Sequence, residues 1–378
     1  MEDGSNWWHC GNLKLSLPDG LTQLQSLENL EISYCYELHL LPEGLDRLKK
    51  LKSLKIRGVE VLTCLPDSLG QLESLEQLHI LDSKNLQSLP EGLGELKKLK
   101  SLKISNAEAG DEELTCLPDS LGQLESLERF EIIGLAKLES LPHSLVQLKK
   151  LRILTIRKME ALINLAESLG QLESLEYFAI DGLAKLESMP HSLVQLKKLR
   201  TLRIENMEAL INLPESLGQL ESLEDFEIIG LAKLESLPHS LVQLKKLWKL
   251  EIRNMEALIN LPESLGQLES LKMLTINHCG KLKSLPNTLA QLKSLDFLSI
   301  GGWKELESLP HWLGQLKALR RLTISDCTAL RSLPHCLKSL PLLRHLYIYG
   351  CPLLSERCRR KGGNDWPKIS RIPDLYIY

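Results

Sequence analysis

Leucine recurs along this chain in a fixed frame that combines two hydrophobic spacings. The units follow the pattern LPxxLxxLxxLxxLxIxxxxxLxx, and the leucine-proline position returns every 24 residues from Leu17-Pro18 to Leu333-Pro334, with one 28-residue step before Leu117. Two copies are altered, to Leu165-Ala166 and Met189-Pro190. The end of the segment LxxLxI alternates apolar and polar residues, which predicts a short strand that buries residues such as Leu30 and Ile32. The segment LPxxLxxL has leucines three apart, which predicts a short helix or 3₁₀ turn with proline at its first position.

A period of 24 residues indicates one supersecondary unit stacked on copies of itself. A strand on one side and a wider helical turn on the other cannot stack flat, so we expect a curved, horseshoe-shaped array. The predicted fold class is α/β, a leucine-rich-repeat solenoid of about 14 repeats, with a parallel β-sheet on the concave face and short helical or 3₁₀ turns on the convex side. We expect residues 1–16 to form an N-terminal edge or cap, 17–350 the repeat array and 351–378 a C-terminal cap.

Three successive double repeats allow an internal comparison. Residues 133–180, 181–228 and 229–276 are nearly identical, and only twelve columns differ among them. Nine of these columns fall at strand positions that we predict to face solvent, whereas the outer turn stays constant, for example at Gln147 and its equivalents. Drift of exposed positions would also change the outer turn. The pattern therefore favours a recognition surface on the concave face.

The character of that face changes near the tenth repeat. Before it, the position that follows the first strand leucine alternates in charge from Glu28 to Glu224, and the alternation ends at Trp248. From there the face gains aromatic, methionine and arginine side chains, which commonly anchor protein interfaces. We predict a contact surface on repeats six to fourteen; packing of some of these residues against the C-terminal segment is the alternative. The candidate partner-binding residues are Arg152, Tyr177, Arg203, Trp248, Lys249, Glu251, Met273, Phe297, Arg321 and Tyr347.

Composition narrows the classes of partner. The net charge of -3 provides no general attraction to nucleic acid or to an anionic membrane, and 4% aromatic residues suit a leucine-filled solenoid. No apolar signal segment follows the first residues and no Asn-x-Ser/Thr sequon occurs, so we expect a cytoplasmic monomer that binds protein, not nucleic acid or membrane.

No constellation of catalytic residues can be argued from the sequence. The histidines at His143 and its equivalents repeat along the outer edge, far from any shared reacting point, so we expect no enzymatic activity and no cofactor. Most of the nine cysteines occupy repeat-equivalent positions, which indicates small packing residues. A metal site or a disulfide at Cys351 and Cys358 stays open, although structural zinc normally uses a tighter spacing.

Two motifs carry a family resemblance. The unit LPxxLxxLxxLxxLxIxxC, as in Leu17 to Cys35, resembles the repeats of plant intracellular nucleotide-binding immune receptors of the coiled-coil class. The segment CPLLSERC, from Cys351 to Cys358, with the following Gly363-Asn364-Asp365-Trp366, is similar to the segment that closes the repeat domain in that family. The resemblance implies recognition of a pathogen effector or of a host protein, and restraint of a nucleotide-binding domain of the same receptor.

The sequence also departs from that family. It contains no coiled-coil stretch and no Gly-x-x-x-x-Gly-Lys-Ser/Thr phosphate loop, so we expect it not to bind ATP or ADP. An intracellular scaffold like the Ras-group repeat proteins, which share LPxxLxxLxxLxxL, is the alternative. Those proteins typically place Asn after the strand, where this chain has Cys, Leu or Met.

Overall fold

The computed structural model describes residues 21, 23–41, 44–107 and 114–378, together with the backbone of 5–9. The chain divides into two compact units, Met1–Leu186 and Glu187–Tyr378. Leu17-Pro18 and residues 108–113, the irregular part of the 28-residue unit, lie outside the described residues, as do the side chains of Trp7 and Trp8.

Short strands recur once per repeat in both units. In each unit, every strand pairs in parallel with the next strand along the chain, in a register that joins equivalent residues of neighbouring repeats. The strands of the first unit are β1 (Ser5–His9), β2 (Asn29–Ser33), β3 (Ser53–Arg57), β4 (Gln77–Leu81), β5 (Ser101–Ser105), β6 (Arg129–Ile133), β7 (Ile153–Arg157) and β8 (Tyr177–Asp181). The strands of the second unit are β9 (Thr201–Glu205), β10 (Asp225–Ile229), β11 (Lys249–Arg253), β12 (Met273–Asn277), β13 (Phe297–Gly301), β14 (Arg321–Ser325), β15 (His345–Tyr349) and β16 (Asp374–Ile377).

The second and fourth residues of the repeat strands form the core. Leu54 and Ile56 are fully buried, and the bulkier Phe130, Phe178 and Phe226 occupy the second position with at most 1% exposure. Burying such a side chain contributes about 1.5–3 kcal/mol. The prediction that Leu and Ile of LxxLxI point inward is therefore confirmed.

The turns before the strands are 3₁₀ helices, as the leucine spacing predicts. The proline, however, precedes the turn: Pro66 is extended, with φ -70° and ψ 144°, and its carbonyl accepts the first turn hydrogen bond from the Leu69 amide at 3.0 Å. The prediction that proline occupies the first helical position is thus wrong by one residue. The turns lie at Leu45–Arg47, Asp67–Gln71, Glu91–Glu95, Asp119–Gln123, His143–Gln147, Glu167–Gln171, His191–Gln195, Glu215–Gln219, His239–Gln243, Glu263–Gln267, Asn287–Gln291, His311–Gln315 and His335–Ser339.

Residues after β15 fold against the last repeats of the second unit. Helix α1 (Pro352–Arg357) and helix α2 (Trp366–Ile369) lead into β16, which adds to the edge of β15. Asp365, directly before α2, is fully buried and accepts a hydrogen bond from the backbone amide of Leu333 at 2.9 Å. We call residues 351–378 the closing segment. The predicted boundaries of edge, array and cap stay predictions, and at the N-terminus the described backbone forms β1, which pairs with β2.

Candidate functional site

The outward side chains of the strands form a surface in each unit, which we call the strand face. It comprises the first, third and fifth residues of each strand and the residue directly before the strand, because the second and fourth residues point into the core. All ten candidate residues lie on it: Arg152 and Trp248 directly precede β7 and β11, and the others are first or third strand residues. Their contact with a partner stays a prediction.

The third strand position is less accessible than the sequence suggested. Thr155 is 7% exposed, Ala179 1%, Glu227 6% and Thr275 5%. Parallel strands lie about 4.8 Å apart, so a side chain in this row is screened by its neighbours on both sides. The prediction that the nine columns face solvent is therefore wrong for Thr155 and for the column of Ala179, Glu227 and Thr275, whereas Arg203 and Glu251 are half-buried. First positions, by contrast, are half-buried or exposed on every strand from β2 to β15.

The alternating charges before the strands form ion pairs between neighbouring repeats. The candidate residue Arg152 makes two hydrogen bonds to the carboxylate of Glu176, at 3.0 and 2.9 Å, and this interaction raises the pKa of Arg152. The pairs are exposed, so solvent screens them and they contribute little to stability. The ion pairs are Lys52–Glu28, Lys100–Glu76 and Arg152–Glu176 in the first unit, each at 2.9 Å, and Arg200–Glu224 in the second at 2.7 Å.

A depression of about 290 Å³ opens on the strand face of the first unit. Within it, Glu131 pairs with Lys103 at 2.9 Å and with Arg129 at 3.5 Å. Burial alone would raise the pKa of Glu131, but the two cations outweigh burial and lower that pKa. The lining residues are Lys103, Arg129, Glu131, Ile133, Ile153, Thr155, Arg157 and Tyr177.

Sequence reasoning selected only Tyr177 from this depression. The missed residues lie on the three neighbouring strands β5, β6 and β7. The depression opens where the third row has the short side chain of Thr155, followed by Ala179 in the next strand. A register-aligned reading of the third strand position, which runs from Glu131 through Thr155 to Ala179, could have found this gap.

The second unit carries a network of paired charges on β9 to β11. Arg203 contacts Glu227 at 3.0 Å, and Lys249 contacts Glu227, Asp225 at 3.3 Å and Glu251 at 3.8 Å. Burial alone would lower the pKa of Lys249, but Glu227 and Asp225 outweigh burial and raise it. Arg203 and Lys249 are therefore already engaged with neighbouring strands, whereas Glu251 pairs with Lys249 and Arg253 of its own strand.

The aromatic candidates of the second unit differ in accessibility. Trp248 is 36% exposed, whereas Met273 and Phe297 are half-buried and lie in register on β12 and β13. The Arg321 guanidinium carbon lies 5.7 Å from the centre of the Phe297 ring, a cation–π contact.

Tyr347, in contrast, stacks on Tyr376 of the closing segment. The two ring centres are 4.8 Å apart and the planes are 4° from parallel. For Tyr347, packing against the C-terminal segment, which the sequence left open, is therefore what the structure shows.

The buried thiols and the remaining polar clusters are the groups that could form a metal site. No group of three metal-ligating side chains occurs among the described residues. Cys351 and Cys358 are both buried, and burial raises the pKa of Cys358 to about 12. In the described ranges no helix has the length and apolar character needed to cross a membrane.

A family model of a leucine-rich repeat region matches residues 11–160 and 252–378, which is more than half of the chain. The chain belongs to the leucine-rich-repeat family. Each unit has the parallel strands and 3₁₀ turns of a leucine-rich-repeat solenoid, which confirms the predicted fold class. Proteins of this fold are typically protein-binding modules without enzymatic activity, and the fold implies that this chain is a protein-binding module.

Solved structures show the same likeness. A leucine-rich-repeat protein of Leptospira interrogans is 29% identical, with a TM-score of 0.67 over 96% of this chain and 95% of that chain. The leucine-rich-repeat domain of the type III effector XopL is 26% identical, with a TM-score of 0.54 over 61% of this chain and 78% of that chain. A structure of the Toll–Spatzle complex of Drosophila, 21% identical with a TM-score of 0.61 over 85% and 46% of the two chains, is similar in fold alone. Comparison with curated protein sequences found no match.

Proposed function

We propose that this chain recognises a pathogen effector, or a host protein, in plant innate immunity, and that it does so in the cytoplasm through its strand faces. One observation carries the proposal: variation among the near-identical repeats is concentrated on that surface. Of the twelve variable columns, six are outward strand positions and three more directly adjoin a strand. The buried leucines and the outer turns hardly change, so the copies differ in the surface that they present and not in the scaffold.

The plant assignment is supported by the resemblance of the repeat unit and of the closing segment. The buried Asp365 lies in the GNDW part of the motif and bonds the last repeats, which gives the motif a physical role at the end of an array. A nucleotide-binding domain of the same receptor is the second partner that the resemblance implies. The Ras-group scaffold fits less well because this chain has Cys, Leu or Met where that group typically has Asn.

Exchange of residues between copies tests the strand face without foreign substitutions. The face variant carries Trp248→Arg, Lys249→Thr and Glu251→Arg, which are the residues of the preceding copy and therefore compatible with the repeat. The control variant carries Lys245→Ala and Lys246→Ala, both exposed beside the outer turn. In proximity labelling in plant cells, the wild-type chain and the control variant should label a protein that the face variant does not label. Equal labelling of that protein by the face variant would contradict the proposal.

The mass of the native protein tests the receptor assignment separately. An antibody raised against the repeats should detect a native band well above 42.8 kDa, because a receptor adds a nucleotide-binding domain to the repeats. A band at 42.8 kDa would contradict the receptor assignment and support a free-standing binding protein.

A further inference from the structure

The depression in the first unit has more positive than negative charge. Lys103, Arg129 and Arg157 line it together with a single carboxylate, Glu131. Among the described residues, the carboxylate of Glu131 forms ion pairs with Lys103 and Arg129 and not with Arg157. A surface with this balance attracts an anion and repels a cation.

Arg157 also has unsatisfied hydrogen-bonding capacity. Its Nε is buried and has no hydrogen-bond partner among the described residues. Asp181 is in register with Arg157 on β8, but it does not line the depression. A buried donor without a partner is unfavourable, and a carboxylate is the acceptor that matches a guanidinium best.

The second copy does not repeat this arrangement. The positions of Thr155 and Arg157 are Arg203 and Glu205 in the second copy, and Arg203 pairs with Glu227 at 3.0 Å. The short Thr155 is therefore replaced by a long paired side chain, and Arg157 by a carboxylate. The same fold thus carries either an open cationic depression or a filled one with balanced charges.

We propose that the depression around Thr155 receives an acidic side chain, Asp or Glu, from the partner protein, whose carboxylate pairs with Arg157. Ile133 and Ile153 line the same depression and contact the apolar part of the inserted segment. The inference rests on the proposed function, since it names the chemistry of the partner that the strand face binds. It predicts that the recognised segment places an acidic residue next to an apolar one.

The probe is a displayed library of random peptides, selected on the purified chain. The two test variants are Arg157→Glu and Thr155→Arg, both residues of the second copy and so compatible with the fold. The matched control is Arg253→Glu, which makes the same charge change at the fifth position of β11, outside the depression. Circular dichroism first verifies that each variant folds. The affinities of the selected peptides are then measured by fluorescence anisotropy.

Selection on wild type should enrich peptides with Asp or Glu, and their affinity should fall at least about tenfold in both test variants and hardly at all in the control. Replacing the peptide carboxylate by its amide should cause a similar loss. A different result would be that the selected peptides carry no carboxylate and lose their binding to the face variant with Trp248→Arg, Lys249→Thr and Glu251→Arg. That result would overturn the inference and leave the proposed function standing. Acidic peptides that bind all variants equally would overturn it too, since they bind elsewhere than the depression.

Discussion

Asp365 connects the closing segment to the last repeats, and its loss should release that segment. Its carboxylate is fully buried and lies 2.7 Å from Lys368 Nζ and 3.3 Å from the Arg357 guanidinium. Lys368 also donates a hydrogen bond to the Leu333 carbonyl at 2.6 Å. The substitution Asp365→Asn keeps the shape of the side chain and removes its charge, so it isolates the electrostatic contribution.

The expected loss of stability follows from how deeply each of the two cations is buried. Lys368 is 8% exposed and would keep its charge without a counter-ion, and removing one partner of a buried pair costs about 3–5 kcal/mol. The Arg357 side chain is 39% exposed, so water can solvate it and it adds little. We therefore expect a loss of about 3 kcal/mol, the lower end of that range. In a repeat array the loss should stay local to the closing segment and its neighbouring repeat.

Native-state hydrogen exchange measures this local stability. The amide of Asp374, which donates to the Arg344 carbonyl at 3.0 Å, reports the opening of β16. Glu356→Gln is the control in the same segment, because its ion pair with Arg359 is exposed on both sides and its removal should change little. A fall of less than about 1 kcal/mol in the opening free energy of Asp365→Asn would refute the reasoning, since it would show that Lys368 needs no buried counter-ion.

The same carboxylate predicts a dependence on pH. Burial alone would raise the pKa of Asp365, but hydrogen bonds from Lys368, Arg357 and the Leu333 amide outweigh burial and lower that pKa. Its contribution is therefore complete above the unfolded-state pKa of about 3.9 and is lost as pH falls through the lower folded-state value. The opening free energy of β16 should fall below about pH 4 in wild type, more steeply than in Asp365→Asn. Parallel pH profiles would contradict the assignment.

Three further perturbations test the core, the turns and the thiols. Leu202→Ala removes a fully buried side chain and should cost about 2–5 kcal/mol, measured as faster hydrogen exchange around β9; unchanged exchange would contradict its inward placement. Gly218→Ala would place a Cβ 2.2 Å from a carbonyl of the next turn and should lower the urea midpoint, whereas Gly280→Ala, with nothing within 4 Å, should lower it less. Iodoacetamide at neutral pH should label the exposed Cys116 in the folded protein but not Cys279, whose pKa burial raises to about 11; equal labelling by mass spectrometry would contradict that burial.

The leucine spacing by itself determined the repeat strands, the presence of a short helical turn before each strand and the side of each strand that is buried. This was possible because strand and turn place side chains with fixed periods, and the hydrophobic effect assigns the leucine rows to the interior. The ion pairs between the alternating charges before the strands were also predictable, since a parallel register places Arg152 beside Glu176 one repeat later.

The exposure of the side chains on the strand face, and which of them pair with or cover one another, were decided only by the tertiary structure. Thr155 is buried because of the side chains on the neighbouring strands, and Tyr347 is covered because Tyr376 returns to the sheet from the closing segment. The pairing of Lys249 and the open depression beside Arg157 depend on the relative lengths of side chains in adjacent strands. A repeat period states which residues are neighbours, but the space that those neighbours leave is a property of their packing in three dimensions.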